Sequence, residues 1–253
     1  MGNEDKIKPN GTQFKGKETY VKDVFTEISD YYDEMNEIMS MHMIQGWHEY
    51  MMKLAGPIAG RRCLDVGTGT GEIAFQVAQH AGPEGSVTGL DITPKMLDLA
   101  RAKMKERSLP KLVEFVEGDA LKMPYAADTF DLVTSGYMLR NVTDLQQAID
   151  EMYRVLRPGG RAVVAEMATP DNRVVRYFYK WYIRNRVQKM GRKYDHGEKL
   201  DGKMPAYDWL VTSIQGFPHG KVMAAKFEKA GFVHVEVHSK TFGAVNIYVG
   251  DKP

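Results

Sequence analysis

The chain has 253 residues, 43% of them apolar and 26% charged, with a formal net charge of +1 and a single cysteine. That length buries one sizeable core, and the near-zero charge supplies no field that would demand a nucleic acid or a membrane. One cysteine excludes a disulfide framework and fits a reducing, intracellular compartment, so Cys63 is expected to pack as a small apolar group.

Residues 1–17 are polar and aperiodic and read as a disordered tail. No apolar signal region follows the start, Lys6 stands where myristoylation needs Ser or Thr, and no run reaches the roughly 18 apolar residues that span a bilayer. A soluble, cytoplasmic protein is expected, with residues 18–253 forming one domain. From Tyr20 to Leu54, Val24, Phe25, Ile28, Tyr31, Tyr32, Met35, Ile38 and Met39 recur at helical spacing. Strands follow at 62–66, 86–91, 112–117, 130–135 and 161–166, alternating with helices at 72–81, 94–106 and 144–156. The last of these helices is stopped by Pro158-Gly159-Gly160. This alternation predicts an α/β fold with a doubly wound, mostly parallel sheet. After Pro170 it breaks: a basic, aromatic helix over about 172–190, a Gly- and Lys-rich connection and the stretch Pro205 to Phe217 read as an insertion, 170–217. A helix at 219–230 and strands near 232–238 and 243–249 complete a seven-stranded sheet.

The first strand runs into Asp65-Val66-Gly67-Thr68-Gly69-Thr70-Gly71, and Asp91 ends the second strand twenty residues beyond the last glycine. Glycines at alternate positions let the backbone turn tightly and approach a ligand, and an acid at the second strand end can accept both ribose hydroxyls. A dinucleotide site would carry Gly or Ala where this chain has Glu72, a poor neighbour for pyrophosphate. Asp65 instead suits a cation, so the pattern selects S-adenosylmethionine over a nicotinamide cofactor. Asp119 and Ala120, after the third strand, can hydrogen-bond an adenine edge, although a loop acid such as Asp119 also caps local turns. No metal site is read.

Further along stand Tyr32-Asp33-Glu34-Met35-Asn36 with Met39-Ser40 and Trp47, then Met138-Leu139-Arg140-Asn141-Val142-Thr143-Asp144. Met152-Tyr153-Arg154-Val155-Leu156-Arg157-Pro158-Gly159-Gly160 and Tyr207-Asp208-Trp209-Leu210, with Ser213 and Phe217-Pro218, follow. Together these resemble the ubiquinone/menaquinone-biosynthesis C-methyltransferase family over about residues 20–250. The resemblance implies a Rossmann-like class I methyltransferase fold with an N-terminal helical lid (18–54), and C-methylation of a prenylated quinol. Demethylmenaquinol is the first choice of substrate; a ubiquinone-pathway benzoquinol or another small aromatic acceptor is the alternative. It also implies cofactor contacts from Thr70, Asp91, Asp119 and Ala120, and a substrate site at Tyr32, Arg140 and Asn141. Gly136 stands where the family often has Ser, so that contact is either lost or moved to the backbone. Two departures touch the substrate side: Ile44-Gln45-Gly46-Trp47-His48 replaces His-Arg-x-Trp-Arg, and Glu166-Met167-Ala168 replaces Glu-x-Ser.

Methylation of a ring carbon needs donors that stabilise a developing quinolate, for which Arg140 and Asn141 are the candidates, and a proton acceptor. Tyr32, Tyr137, Asp33 and His219 all remain open for the second role. Six methionines between 35 and 52 offer either a pliable prenyl path or ordinary packing. Residues 172–203 carry ten lysines and arginines against three acids, a local excess of +7, interleaved with aromatics. That segment reads either as a peripheral contact with the inner face of a membrane or as a solvated helix with its aromatics on the core. The reading admits a homodimer and requires no nucleic acid.

Overall fold

Strand β1 (Arg62–Val66) reads Arg-Cys-Leu-Asp-Val, and its last four residues are all buried. A run without polar alternation is the mark of a central strand covered on both faces. In the computed structural model, which describes residues 16–107, 113–187, 189 and 204–253, β1 lies in a seven-stranded sheet of order β3-β2-β1-β4-β5-β7-β6. The other strands are β2 (Ser86–Asp91), β3 (Val113–Glu117), β4 (Phe130–Gly136), β5 (Leu156–Met167), β6 (Val233–Lys240) and β7 (Val245–Asp251). Pairings through β5 are parallel, and β7 runs antiparallel to both neighbours. Strand order reverses between β1 and β4, and ligands of such sheets bind outside the carboxyl ends at that point.

Helices α3 (Ile44–Ala55), α4 (Glu72–Ala81) and α5 (Pro94–Glu106) cover one face. Helices α6 (Leu145–Val155) and α9 (Gly220–Ala230) cover the other. On α3 the buried positions are Ile44, Trp47, His48, Met51, Met52 and Ala55, a single helical stripe that includes a histidine. Cys63 is free and buried in the core, as expected.

The N-terminal helical region is three helices, α1 (Lys17–Ile28), α2 (Tyr32–Met39) and α3, with a 3-10 turn at Ser29–Tyr31. α1 and α2 pack on α8 (Ala206–Gly216) through Tyr20, Val24, Met35, Tyr207 and Trp209, so the two segments flanking the sheet cover the site together. Lys17, assigned from sequence to the tail, is the first residue of α1 and only 1% exposed. Its ammonium donates to the Val142 carbonyl at 2.6 Å and lies 5.5 Å from the Trp209 ring, and burial lowers its pKa to about 8. The rest of that assigned tail, 1–15, lies outside the described residues.

Two further boundaries differ from expectation. β5 begins at Leu156, directly at the end of α6, and pairs Phe130 with Leu156 before the register shifts to Leu132 with Arg161. Pro158-Gly159-Gly160 is therefore an irregularity within a strand, with Gly159 at φ 75°. The helix expected over 172–190 is α7 (Arg173–Tyr182) running into a π-helical turn, Ile183–Val187. Its Tyr177, Phe178 and Trp181 are 55–69% exposed and do not face the core. The basic residues of 190–203 lie outside the described residues.

Candidate functional site

The glycine loop leaves β1 with Gly67, Gly69 and Gly71 all at positive φ. A Cβ on Gly67 would overlap the Met138 side chain, so the chain can pass here only as glycine. Asp91, at the end of β2, holds the loop: the Gly69 N–H donates to Oδ2 and the Thr93 N–H to Oδ1, each at 2.8 Å. Burial raises its pKa against those two bonds. A carboxylate has about four acceptor positions, so Asp91 retains capacity for two ligand hydroxyls while its orientation is fixed.

Two cavities open on this loop, and a third adjoins them at Tyr32 and Tyr137. The first, about 100 Å³, is lined by Gly67, Gly69, Asp91, Ile92, Asp119, Ala120, Met138 and Asn141. The second, about 240 Å³, is lined by Thr68, Thr70, Glu72, His48 and Asp33. Both share Tyr32, Gly67, Gly69, Gly136 and Tyr137. The third, about 50 Å³, is bounded by Tyr32, Asn36, Tyr137, Arg140 and Trp47. The residues common to all three are Tyr32 and Tyr137. The first cavity fits a nucleoside, with a ribose acceptor in Asp91, apolar walls, and Asp119 with the 120–121 backbone at the far edge. The second has the room for the remainder of an S-adenosyl ligand.

The sequence-selected residues take different places around this cleft. Gly67, Gly69, Thr70, Asp91, Asp119, Ala120 and Gly136 line it. Asp119 also accepts the Leu121 N–H at 2.8 Å, so it closes a local turn while lining the cavity. A Cβ on Gly136 would overlap the end of Ile73, so Ile73 occupies the space a serine would need and only the backbone faces the cleft. Gly71 caps α4 and lines neither cavity. Asp65 lies beneath the loop at 1% exposure, outside both cavities. Thr134 donates to one of its oxygens at 2.7 Å, the other has no hydrogen-bond partner, and burial raises its pKa to about 7. Its influence on a bound cation would therefore pass through the loop. Glu72 is turned aside into ion pairs with Lys103 (2.9 Å) and Arg107 (2.8 Å).

On the substrate side, Arg140 is 7% exposed and anchored by Glu166, which the motif reading named without giving it this role. Its Nη1 donates to Glu166 Oε1 and to the Tyr137 carbonyl, each at 2.5 Å, and its backbone N–H donates to Glu166 Oε2 at 3.1 Å. Its Nε has no partner. Asn141 is engaged at both ends, donating to the Tyr137 carbonyl at 3.3 Å and accepting from Trp209 Nε1 at 3.1 Å. Burial raises the pKa of Tyr32 and Tyr137, so both phenols stay protonated at neutral pH and act as donors. Asp33 is taken up by Thr70 (2.6 Å) and Lys103. His219 sits outside the site at the start of α9, exposed and facing Asp171 at 3.3 Å. The four candidate acceptors thus reduce to two donors, one paired acid and one surface histidine.

The sequence model of the ubiE/COQ5 methyltransferase family matches residues 13–252. The chain belongs to that family. Among its relatives, the demethylmenaquinone methyltransferase of Lactococcus lactis subsp. lactis is 36% identical over 243 residues, 96% of this chain and 94% of that protein. The protein of the same name from Geobacillus kaustophilus is 37% identical over 238 residues, covering 94% and 99%. Solved structures share the fold at lower identity. A SAM-dependent methyltransferase from Aquifex aeolicus superposes with a TM-score of 0.57 at 18% identity, over 80% of this chain and 88% of that one. A Haemonchus contortus phosphoethanolamine N-methyltransferase in complex with S-adenosyl-L-methionine gives 0.59 at 18%, over 82% and 52%.

Proposed function

We propose that this family member is an S-adenosylmethionine-dependent enzyme that methylates a ring carbon of demethylmenaquinol to give menaquinol. The observation that carries the substrate side is an apolar groove that adjoins the Arg140 cavity. The Arg140 cavity shares Met39, Ser40, Trp47, Met167 and Ile183 with a groove of about 440 Å³ that opens between α7 and the turn at Thr241–Gly243. A polar ring held beside Arg140 would send its prenyl tail along that groove.

The cofactor, when bound, supplies an electrophilic methyl on a sulfonium. Asp91 orients its ribose, and Asp119 and Ala120 meet its adenine. Tyr32 and Tyr137, at the junction of the cavities, would position the ring and donate to its oxygens, and Arg140 would hold the acceptor as a quinolate that has already given its hydroxyl proton to water. Methyl transfer leaves S-adenosylhomocysteine, and the displaced ring proton passes to solvent when the site opens. The N-terminal helices and α8 exclude water from that junction. Methyl-labelled cofactor offered with a reduced short-chain demethylnaphthoquinol, and in parallel with the matching benzoquinol, should label the naphthoquinol ring carbon at least tenfold faster. Equal or absent transfer would remove the proposed substrate.

The groove mouth is ringed by exposed Met41, Val174, Tyr177, Phe178, Trp181 and Phe242, beside the exposed cations Arg173, Lys180, Arg184 and Arg186. Apolar side chains interspersed with cations suit an anionic lipid surface, and no helix among the described residues is long and apolar enough to cross a bilayer. The enzyme therefore meets its substrate by peripheral contact at this mouth. Co-sedimentation with vesicles containing phosphatidylglycerol should fall at least about tenfold in the Trp181→Ser/Phe242→Ser double variant, because two exposed apolar side chains that would insert into the lipid are lost. Wild-type protein that ignores such vesicles would refute the contact.

A further inference from the structure

His48 is 4% exposed, and neither of its ring nitrogens has a hydrogen-bond partner. A buried polar group left alone is costly, and a ligand in the adjoining space would recover that cost. That space is the cavity of about 240 Å³ that His48 shares with the glycine loop, next to the first turn of α4. α4 is ten residues long and starts with no side-chain cap, so N–H groups of its first turn lack helical acceptors. Of the other polar groups here, the Thr70 hydroxyl is committed to Asp33 and the Glu72 carboxylate to Lys103 and Arg107, whereas the Thr68 and Tyr137 hydroxyls line the same cavity without a partner. The donors open to an anion are the helix end, the imidazole and these two hydroxyls, and of them His48 is the ring left with both nitrogens unpartnered.

A cofactor with its ribose on Asp91 and its adenine at Asp119 fills the nucleoside cavity. Its amino-acid end must then enter either the 50 Å³ space beside Arg140, where the quinol ring goes, or the His48 cavity. We propose that His48 binds the methionine carboxylate of S-adenosylmethionine, donating a ring N–H to it in concert with the start of α4. This rests on S-adenosylmethionine being the cofactor. Burial lowers the ring's pKa to about 4, against the opposing pull of Glu72 and Glu37, so at neutral pH it is uncharged and keeps one N–H to donate. In the motif that this chain resembles, the same position is arginine, a donor to carboxylates.

The test is calorimetric binding to the whole enzyme of S-adenosylhomocysteine, its decarboxylated analogue and 5′-methylthioadenosine, which lacks the amino-acid end. A hydrogen bond to a charged group contributes about 1.5–3 kcal/mol, so His48→Ala should weaken S-adenosylhomocysteine roughly 10–100-fold. The other two ligands should stay within about twofold, which also shows that the variant folds. His48→Arg should restore the lost affinity. Equal weakening of all three ligands, or none of any, would overturn the assignment; a fall in turnover with none would make the imidazole a proton acceptor instead. Wild-type enzyme that binds none of the three would overturn the cofactor reading itself.

Discussion

Glu166→Leu should destabilise the enzyme by about 3–5 kcal/mol, because it strands the Arg140 guanidinium in the interior without its counter-charge. Glu166 is fully buried, and its carboxylate accepts from Arg140 Nη1, the Arg140 N–H and the Met167 N–H. For a chain of this size the change corresponds to a melting temperature lower by about 6–20 °C. Turnover should fall as well, since the donor proposed for the quinolate oxygen loses the partner that aims it. Glu166→Gln keeps the shape and part of the hydrogen bonding and should cost less. The decisive comparison is Arg140→Met/Glu166→Leu, in which no buried charge remains. Its melting temperature should recover most of the loss, while methyl transfer, now without the Arg140 donor, should fall below that of Glu166→Leu. If the double variant melts no higher than Glu166→Leu, the pair is not the source of the instability.

The parts of the site legible in the sequence are those where one residue type answers a backbone requirement. Gly67 must lie at positive φ against Met138, and Asp91 must end a strand facing the loop; both demands act over a few residues, and the motif records them. The parallel sheet was legible for a similar reason, since runs such as Cys63–Val66 alternate with helical stretches of fixed length. What escaped depends on contacts between distant segments. Lys17 looks like one more cation in a polar tail until α1 docks and sets its ammonium on the Val142 carbonyl, 125 residues away. Glu166 reads as the end of a strand until the loop after β4 brings Arg140 to it. His48 did leave a signal: it occupies the apolar stripe of α3 with Ile44, Met51 and Met52, and a histidine on such a stripe is buried. The aromatics of α7 divide in a way its sequence does not announce: Tyr179 and Tyr182 pack against Ile183, Val187 and Val211, while Tyr177, Phe178 and Trp181 stay exposed.

Removing the Asp91 carboxylate should produce the largest loss of cofactor binding. Two hydrogen bonds from ribose hydroxyls to a carboxylate contribute about 3–6 kcal/mol, so Asp91→Ala should bind S-adenosylhomocysteine at least about 100-fold more weakly. Part of that loss comes from the loop, because the Gly69 and Thr93 N–H groups lose their acceptor together with the ligand. A 2′-deoxy analogue separates the two contributions: it forgoes one ribose bond, so it should lose less than the parent ligand when Asp91 is removed. Burial raises the pKa of Asp91, and protonation replaces an acceptor with a donor. Wild-type affinity should consequently fall as pH drops through the acidic range, while that of Asp91→Asn, already weak, stays flat. Calorimetry across pH reads both slopes. Parallel slopes in the two proteins would assign the acid dependence to other groups, such as Asp65 beneath the loop, and equal affinities would remove Asp91 from the ribose altogether.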